Sequence, residues 1–193
     1  MSFYSKEAQA KVSVAVAAVE EVTAAEIVVA VRARAGDYGA IDLGFGAAAA
    51  FLTLLVLLFY PRSFSVAAMP VDVLIVFGLG ALVCRRTPAL RRLFIRRPHT
   101  LTAARAAFVE LGVSQTRGRT GVLIFVAKLE RDVAIVRDLN APEISATELR
   151  AAVRRDDVDA FVAALLALRP TLQAALPRAA ADVDELANAP TFS

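Results

Sequence analysis

Glu26, Glu130, Asp132 and Asp138 each stand at the end of a short apolar run, a placement that a hydrolase could use. Two carboxylates of that kind can hold a divalent cation and activate a water molecule. Strand ends also carry plain solvated charges, and nothing in the spacing of these four demands catalysis. Glu26 and Asp138 are the weak catalytic candidates, and a divalent metal enters only through them. A second constellation is the segment Ser114-Gln-Thr-Arg-Gly-Arg-Thr120, which offers hydroxyls, a glycine and two arginines. Arg117, Arg119 and Thr120 suit a phosphate or an acidic group on a partner. The segment precedes a strand rather than a helix, so it is not a P-loop, and a connecting loop with some Arg pairing is the simpler account. The chain holds one Cys, Cys84, and one His, His99. Neither an intrachain disulfide nor a multi-cysteine metal site can form, and a His-based triad or His-rich zinc site is disfavoured. Cys84 is a passive thiol or, at a membrane edge, an acylation site; His99 has no assigned role.

Elements that position these residues follow from the apolar periodicities. Ser5 to Val22 spaces Ala8, Val12, Ala15, Val16, Val19 and Val22 by threes and fours, an amphipathic helix. Glu26 to Arg34 is β-branched and short, a strand, and Gly36 to Gly39 breaks it. Thr100 to Leu111 is a second helix, capped by Thr100 or Thr102 and stopped at Gly112. Gly121 to Leu129 is the strongest strand; Glu130-Arg131 is a tight turn, and Asp132 to Asp138 returns antiparallel. Ser145 with Glu148 three residues later spells a capping box. Asp156 to Leu176 closes the pattern as a helix with Phe161, Leu165, Leu168 and Leu172 on one stripe and a kink at Pro170. One strand before residue 40 and two after residue 120 do not make adequate separate sheets. The expected fold is therefore α/β (an α+β sandwich): one small mixed sheet covered by helices.

Between those strands lies an excess of apolar residues. The 193-residue chain is 58% hydrophobic with a mean hydropathy of +0.57, above the roughly 45–50% of a soluble domain, and the surplus concentrates between Ile41 and Cys84. Leu43 to Tyr60 carries no charge, and at ~1.5 Å per residue it covers ~27 Å, close to the hydrocarbon thickness. Ser65 to Cys84 is apolar except for Asp72, which follows Pro70 and reads as a helix-start carboxylate at the interface; the sharper alternative is an ion or proton relay. Asp42, just ahead of the first span, reads as an N-cap. Only Arg62 lies in the turn from Pro61 to Phe64, whereas Arg85, Arg86, Arg91, Arg92, Arg96 and Arg97 follow the second span. The positive-inside bias then puts both termini and the soluble domain in the cytoplasm, as a multi-pass protein of a bacterial inner membrane. No cleavable signal peptide is visible. The same placement explains the pI near 9.4 without nucleic acid, which is not an expected partner. Leu90, Leu93 and Phe94 share a face within Pro88 to Arg97, which suits an interfacial helix on anionic lipid headgroups.

The expected organisation is a discontinuous α/β domain at 1–38 and 98–180, a transmembrane hairpin at 40–86 with spans at about 42–60 and 66–84, a basic interfacial linker at 87–97 and a flexible tail at 181–193. Small residues in the hairpin, Gly44, Gly46, Gly78 and Gly80, suit close helix approach, between the two spans or against a partner's spans.

An early Glu-Ile-Val-Val strand, two spans, a helix containing Ala-Arg-Ala-Ala-Phe, and the run Arg-Gly-Arg-Thr-Gly-Val-Leu-Ile-Phe-Val to Asp138 come in that order. Together they resemble the TPM domain family (thylakoid lumen, photosystem repair and receptor-auxiliary proteins), in its bacterial membrane-embedded branch. The resemblance spans nearly all the soluble chain, and residues 117–138 are its specific part. It implies a small sheet sandwiched by helices. It also implies either an acid phosphatase, sometimes with a divalent metal, or an assembly factor for membrane complexes. Where phosphatase-like members continue the third strand into a glycine-rich segment, this chain has Arg137-Asp138-Leu139-Asn140-Ala141-Pro142. That departure favours a membrane-anchored, non-enzymatic domain acting on another membrane or membrane-proximal protein, without a cofactor. A membrane-bound phosphatase with a carboxylate or metal site is the alternative.

Overall fold

The computed structural model describes residues 5–60, 65–95, 99–178 and 191–192. The turn at 61–64 with Arg62, the arginines Arg96 and Arg97, and most of the 181–193 tail lie outside the described residues. The chain divides into two compact units, Met1–Gly36 with Pro98–Ser193, and Asp37–Arg97.

The first unit is built on a mixed sheet. Strand β1 (Ile27–Arg32) pairs parallel with β2 (Val122–Ala127), in register Ile27↔Val122, and β2 pairs antiparallel with β3 (Asp132–Arg137), in register Val122↔Arg137. A two-residue strand β4 (Thr191–Phe192) lies parallel to β1 on its other edge, so the order is β3-β2-β1-β4. The parallel neighbours β1 and β2 are consecutive strands in the chain, and a parallel pair needs a crossover. Here that crossover contains the whole second unit followed by helix α5 (Thr100–Glu110).

Each face of β1 and β2 is covered, which is why these strands are apolar throughout rather than alternating. Ile27, Val29, Val31, Val122, Ile124 and Val126 face helices α1 (Lys6–Glu20), α6 (Thr147–Arg155) and α7 (Val158–Leu166), where they meet Val12, Val16, Leu149, Phe161 and Leu165. Val28, Ala30, Leu123 and Phe125 face the other way, against Ala104, Ala107 and Phe108 of α5. Lys11 on α1 donates to Asp159 on α7 at 2.8 Å. That hydrogen bond holds the Asp159 carboxyl below its usual range and the Lys11 ammonium above its own.

Several local expectations are corrected. The β2–β3 connection is a four-residue loop, Lys128 to Arg131, rather than a two-residue turn; Arg131 takes a positive φ of 51° to close it. Ser145 does not open a helix. Helix α6 begins at Thr147 with Ala146 at its N-cap and no side-chain cap, and the Ser145 hydroxyl bonds Thr147 Oγ1 instead. The cap of α5 is neither Thr100 nor Thr102 but the backbone at His99, with Thr100 buried in the first turn. At Pro170 the last helix is broken, not bent: α7 is followed by a separate helix α8 (Arg169–Ala175), with Pro170 near its start. Pro there lacks a donor that the first turn does not need.

The second unit consists of α2 (Gly39–Phe59), α3 (Met69–Arg86) and α4 (Pro88–Phe94). Helices α2 and α3 run antiparallel and touch at Gly46 and Gly80. A Cβ at Gly46 would stand 2.6 Å from the Phe77 carbonyl oxygen, and one at Gly80 would stand 3.1 Å from Gly46 Cα. Gly44 and Gly78 are different, since a Cβ at either would meet nothing within 4 Å. The four glycines therefore divide into two that pack the spans on each other and two that stay open.

By length and composition two helical segments can cross a membrane, Gly39–Phe59 and Val158–Ala175; α3 qualifies only together with α4, from which it is bent by 96°. Side-chain burial separates the first two. In α2 the large apolar residues face outward, with Phe51 59% and Phe59 80% exposed, which in water would be an unsupportable patch. In the α7–α8 segment Phe161, Leu165 and Leu172 are fully buried in the first unit's core. That segment's apolar composition is spent on the sheet. Helix α3 carries Asp72 in its first turn and Arg85 and Arg86 in its last, as suits a helix whose charged ends reach an interface.

Candidate functional site

Register carries the two candidate acids to one end of the sheet. Val122 N donates to the Glu26 carbonyl and Asp138 N donates to the Gly121 carbonyl, so Glu26, Gly121 and Asp138 form one row across β1, β2 and β3. Strand alternation directs all three toward the α5 face, the side of Val28, Leu123 and Ala134. Both acids are buried. They are two strand spacings apart, roughly 10 Å between backbones.

The space between them is filled. Gly121 lies under a 3-10 turn, Val113–Gln115, whose entry uses Gly112 in the left-handed region at φ 70°. A Cβ at Gly121 would stand 2.3 Å from the Val113 carbonyl oxygen and 2.8 Å from its Cγ1. Val113 thus sits on the row between the carboxylates. Gly121→Ala is expected to cost about 2 kcal/mol, because backbone rather than a movable side chain must give way. Chemical denaturation of the full-length variant checks this, and an unchanged midpoint would refute it.

Val113 thus stands between Glu26 and Asp138, and among the described residues no group of three or more His, Cys, Asp or Glu side chains is placed to hold a metal ion. The other two strand-end acids have structural partners. Glu130 Oε1 accepts the Ala35 amide at 2.8 Å. Asp132 accepts Arg150 Nε at 2.6 Å while the same guanidinium donates to the Val133 carbonyl at 2.9 Å, tying α6 to β3.

What the fold does assemble is a small polar niche around Asp138. Its Oδ1 accepts the Leu139 amide at 2.8 Å, and Arg119 Nη1 stands 3.9 Å from the same oxygen. Its Oδ2 is buried without a hydrogen-bond partner among the described residues, and so is the hydroxyl of Thr116. The Ser114–Thr120 segment is stitched to the exit of β3. Asn140 N donates to the Arg119 carbonyl at 3.0 Å, Asn140 Nδ2 donates to the Gly118 carbonyl at 2.8 Å, and Arg119 adopts φ 51° to allow it. Arg119 is thereby brought to Asp138, Arg117 is exposed on the same loop, and Thr120 is half-buried. Thr116 and Asn140 were not singled out by residue pattern. Asn two residues after an Asp at a strand end is a turn signal, and its amide reaching the loop depends on register.

The second unit holds a separate charged cluster. Asp42 is not a helix cap: Tyr38 occupies that position and Asp42 lies one turn in. Both its oxygens are engaged by Arg91 of α4, with Arg91 Nε 2.8 Å from Oδ1 and Nη2 on Oδ2. Cys84 packs fully buried beside this pair, which leaves its thiol closed to an acyl donor. Phe94 meets Phe45 edge-on at 6.1 Å, so charge and ring together fold α4 back along α2. Arg85 and Arg86 are exposed at the end of α3, Arg85 within electrostatic reach of Asp42; Asp72 is also exposed.

No known family model matches the chain, and no curated protein matches it. Among solved structures, the chain is similar to the NMR structure of BA42 protein from the psychrophilic bacterium Bizionia argentinensis, at 14% sequence identity. That likeness covers 99% of this chain and 96% of the other with a TM-score of 0.59. At that identity the shared property is the fold alone.

Proposed function

We propose that the chain is a membrane-anchored, non-enzymatic domain of the TPM type that holds or assists the assembly of another membrane or membrane-proximal protein. The observation that carries this reading is the insertion itself. An apolar helical pair with outward-facing Phe51, Leu52, Val56 and Phe59 interrupts the crossover between adjacent strands β1 and β2, so the α/β unit is leashed to the bilayer at both ends of the hairpin. A diffusing hydrolase has no use for that leash, whereas a domain whose partner is itself in the membrane gains effective concentration from it. The engagement of Glu130 and Asp132 in structural contacts supports the same reading. The arginine distribution around the hairpin favours a cytoplasmic placement of the α/β unit and both termini.

A membrane-bound phosphatase is the second reading, favoured by Asp138, whose buried Oδ2 lacks a hydrogen-bond partner among the described residues and whose Oδ1 stands 3.9 Å from Arg119 Nη1. Phosphate release by the detergent-purified full chain, with and without divalent cations, separates the two. The adaptor reading expects no turnover above that of Glu26→Gln and Asp138→Asn. Turnover that either variant lowers by a hundredfold or more, an effect of about 3 kcal/mol on the barrier, would make the protein an enzyme.

A further inference from the structure

Near the charged end of the hairpin, a groove of about 430 Å³ runs between α2 and α3, lined by Gly39, Asp42, Leu43, Gly78, Ala81, Leu82 and Arg85. We propose that it binds one anionic phospholipid, with an acyl chain along Leu43, Gly78 and Leu82 and the headgroup phosphate on Arg85; this rests on the reading that the hairpin lies in a membrane. Charge assigns the occupant. The one acid in the lining, Asp42, is already neutralised by the two-pronged contact from Arg91. Arg85 makes no such two-pronged contact and is exposed, though its charge also reaches Asp42, so with Asp42 matched by Arg91 the mouth of the groove keeps a net positive charge.

Shape assigns the chain. Gly46 and Gly80 are consumed in bringing the spans together, whereas Gly78 opens onto free space, and Leu43 and Leu82 present exposed apolar walls on either side. A side chain at position 78 would fill the groove; its absence leaves a slot continuous with the lipid-facing surface. An arginine fork matches a phosphate better than an ammonium does, because its donors are planar and paired. A zwitterionic lipid would bring its own cation beside Arg85 and gain less.

The full chain is reconstituted in nanodiscs of mixed phosphatidylglycerol and phosphatidylcholine, and the lipids that stay bound after transfer to detergent are counted by native mass spectrometry. Wild type is expected to retain phosphatidylglycerol in preference to phosphatidylcholine. Arg85→Gln should lower that retention about fivefold, the effect of the ~1 kcal/mol that one arginine contributes at an anionic surface. Gly78→Leu should lower it by displacing the chain, and Arg85→Lys should lower it less than Arg85→Gln does, while Gly44→Leu, which is equally open but lines a different cleft, should change it little. Equal retention by all variants, or no preference between the two lipids, overturns the site while leaving the membrane anchor standing. Extraction of the wild-type chain by alkaline carbonate would overturn the anchor and the site together.

Discussion

Phe161→Ala is expected to destabilise the α/β unit by about 4 kcal/mol, the upper part of the range for truncating a fully buried aromatic. Phe161 is 0% exposed in α7 and belongs to the buried cluster that also holds Val12 and Val16 of α1, Leu149 of α6 and one face of β1 and β2. The helix that carries it is anchored at its start, where Asp157 Oδ1 accepts the Ala160 amide at 2.9 Å, so the backbone has little freedom to collapse into the void. Loss of dispersion contacts adds to loss of burial, and a cavity of side-chain size remains. Phe51→Ala on α2 provides the contrast, because that ring is 59% exposed and supports no core. Hydrogen exchange of the β2 amides in the full-length protein reads the effect directly, since the central strand opens only with the unit as a whole. A cost below about 1 kcal/mol would mean that α7 is not a core element, and would return Val158–Ala175 to the set of membrane spans.

Arg91→Ala should come next in size, at about 3 kcal/mol, because it leaves Asp42 without its hydrogen-bonded guanidinium while the carboxylate stays nine-tenths buried. Both side chains of the pair are about nine-tenths buried, with 11% and 10% of their surface exposed. Such a pair is weak evidence for net stability, since desolvation offsets most of its Coulomb gain, but breaking it from one side is costly. The double variant Asp42→Asn with Arg91→Met is therefore expected to recover most of the loss. The readout is amide exchange across α4, whose protection should fall by about a hundredfold in Arg91→Ala and return in the double variant. If the single and double variants exchange alike, the ion pair is not what folds α4 back along α2.

Residue pattern alone was enough for a good part of this architecture. The spacing of Ala8, Val12, Ala15, Val16 and Val19 commits α1 to one buried face, and those residues are the ones that pack on the sheet. Continuous apolar runs at β1 and β2 are legible as strands because a strand covered on both faces has no polar alternation to keep. Gly112 as a helix stop is legible because the left-handed region costs glycine little. The uncharged stretch within Gly39–Phe59 announces itself by length. In each case one local quantity, periodicity, conformational freedom or hydrophobic length, decides the outcome within a few turns of chain.

Other features depended on which partner a side chain or backbone meets once the chain is folded, and residue spacing does not say which. Asp42 has the composition of a cap and the position of one, yet its partner is Arg91, 49 residues away. Ser145 and Glu148 have the spacing of a capping box, but the Ser145 hydroxyl takes Thr147 as its partner and the helix starts later. Glu26 and Asp138 look like a catalytic pair from their places at strand ends, and register does align them in one row. Between them lies Val113, which the turn after α5 lays over Gly121. A strand-end carboxylate is the same residue in sequence whether its neighbour is water, a guanidinium or a packed valine. Its chemistry is set by distances of a few ångströms between segments a hundred residues apart, and only the folded chain specifies those.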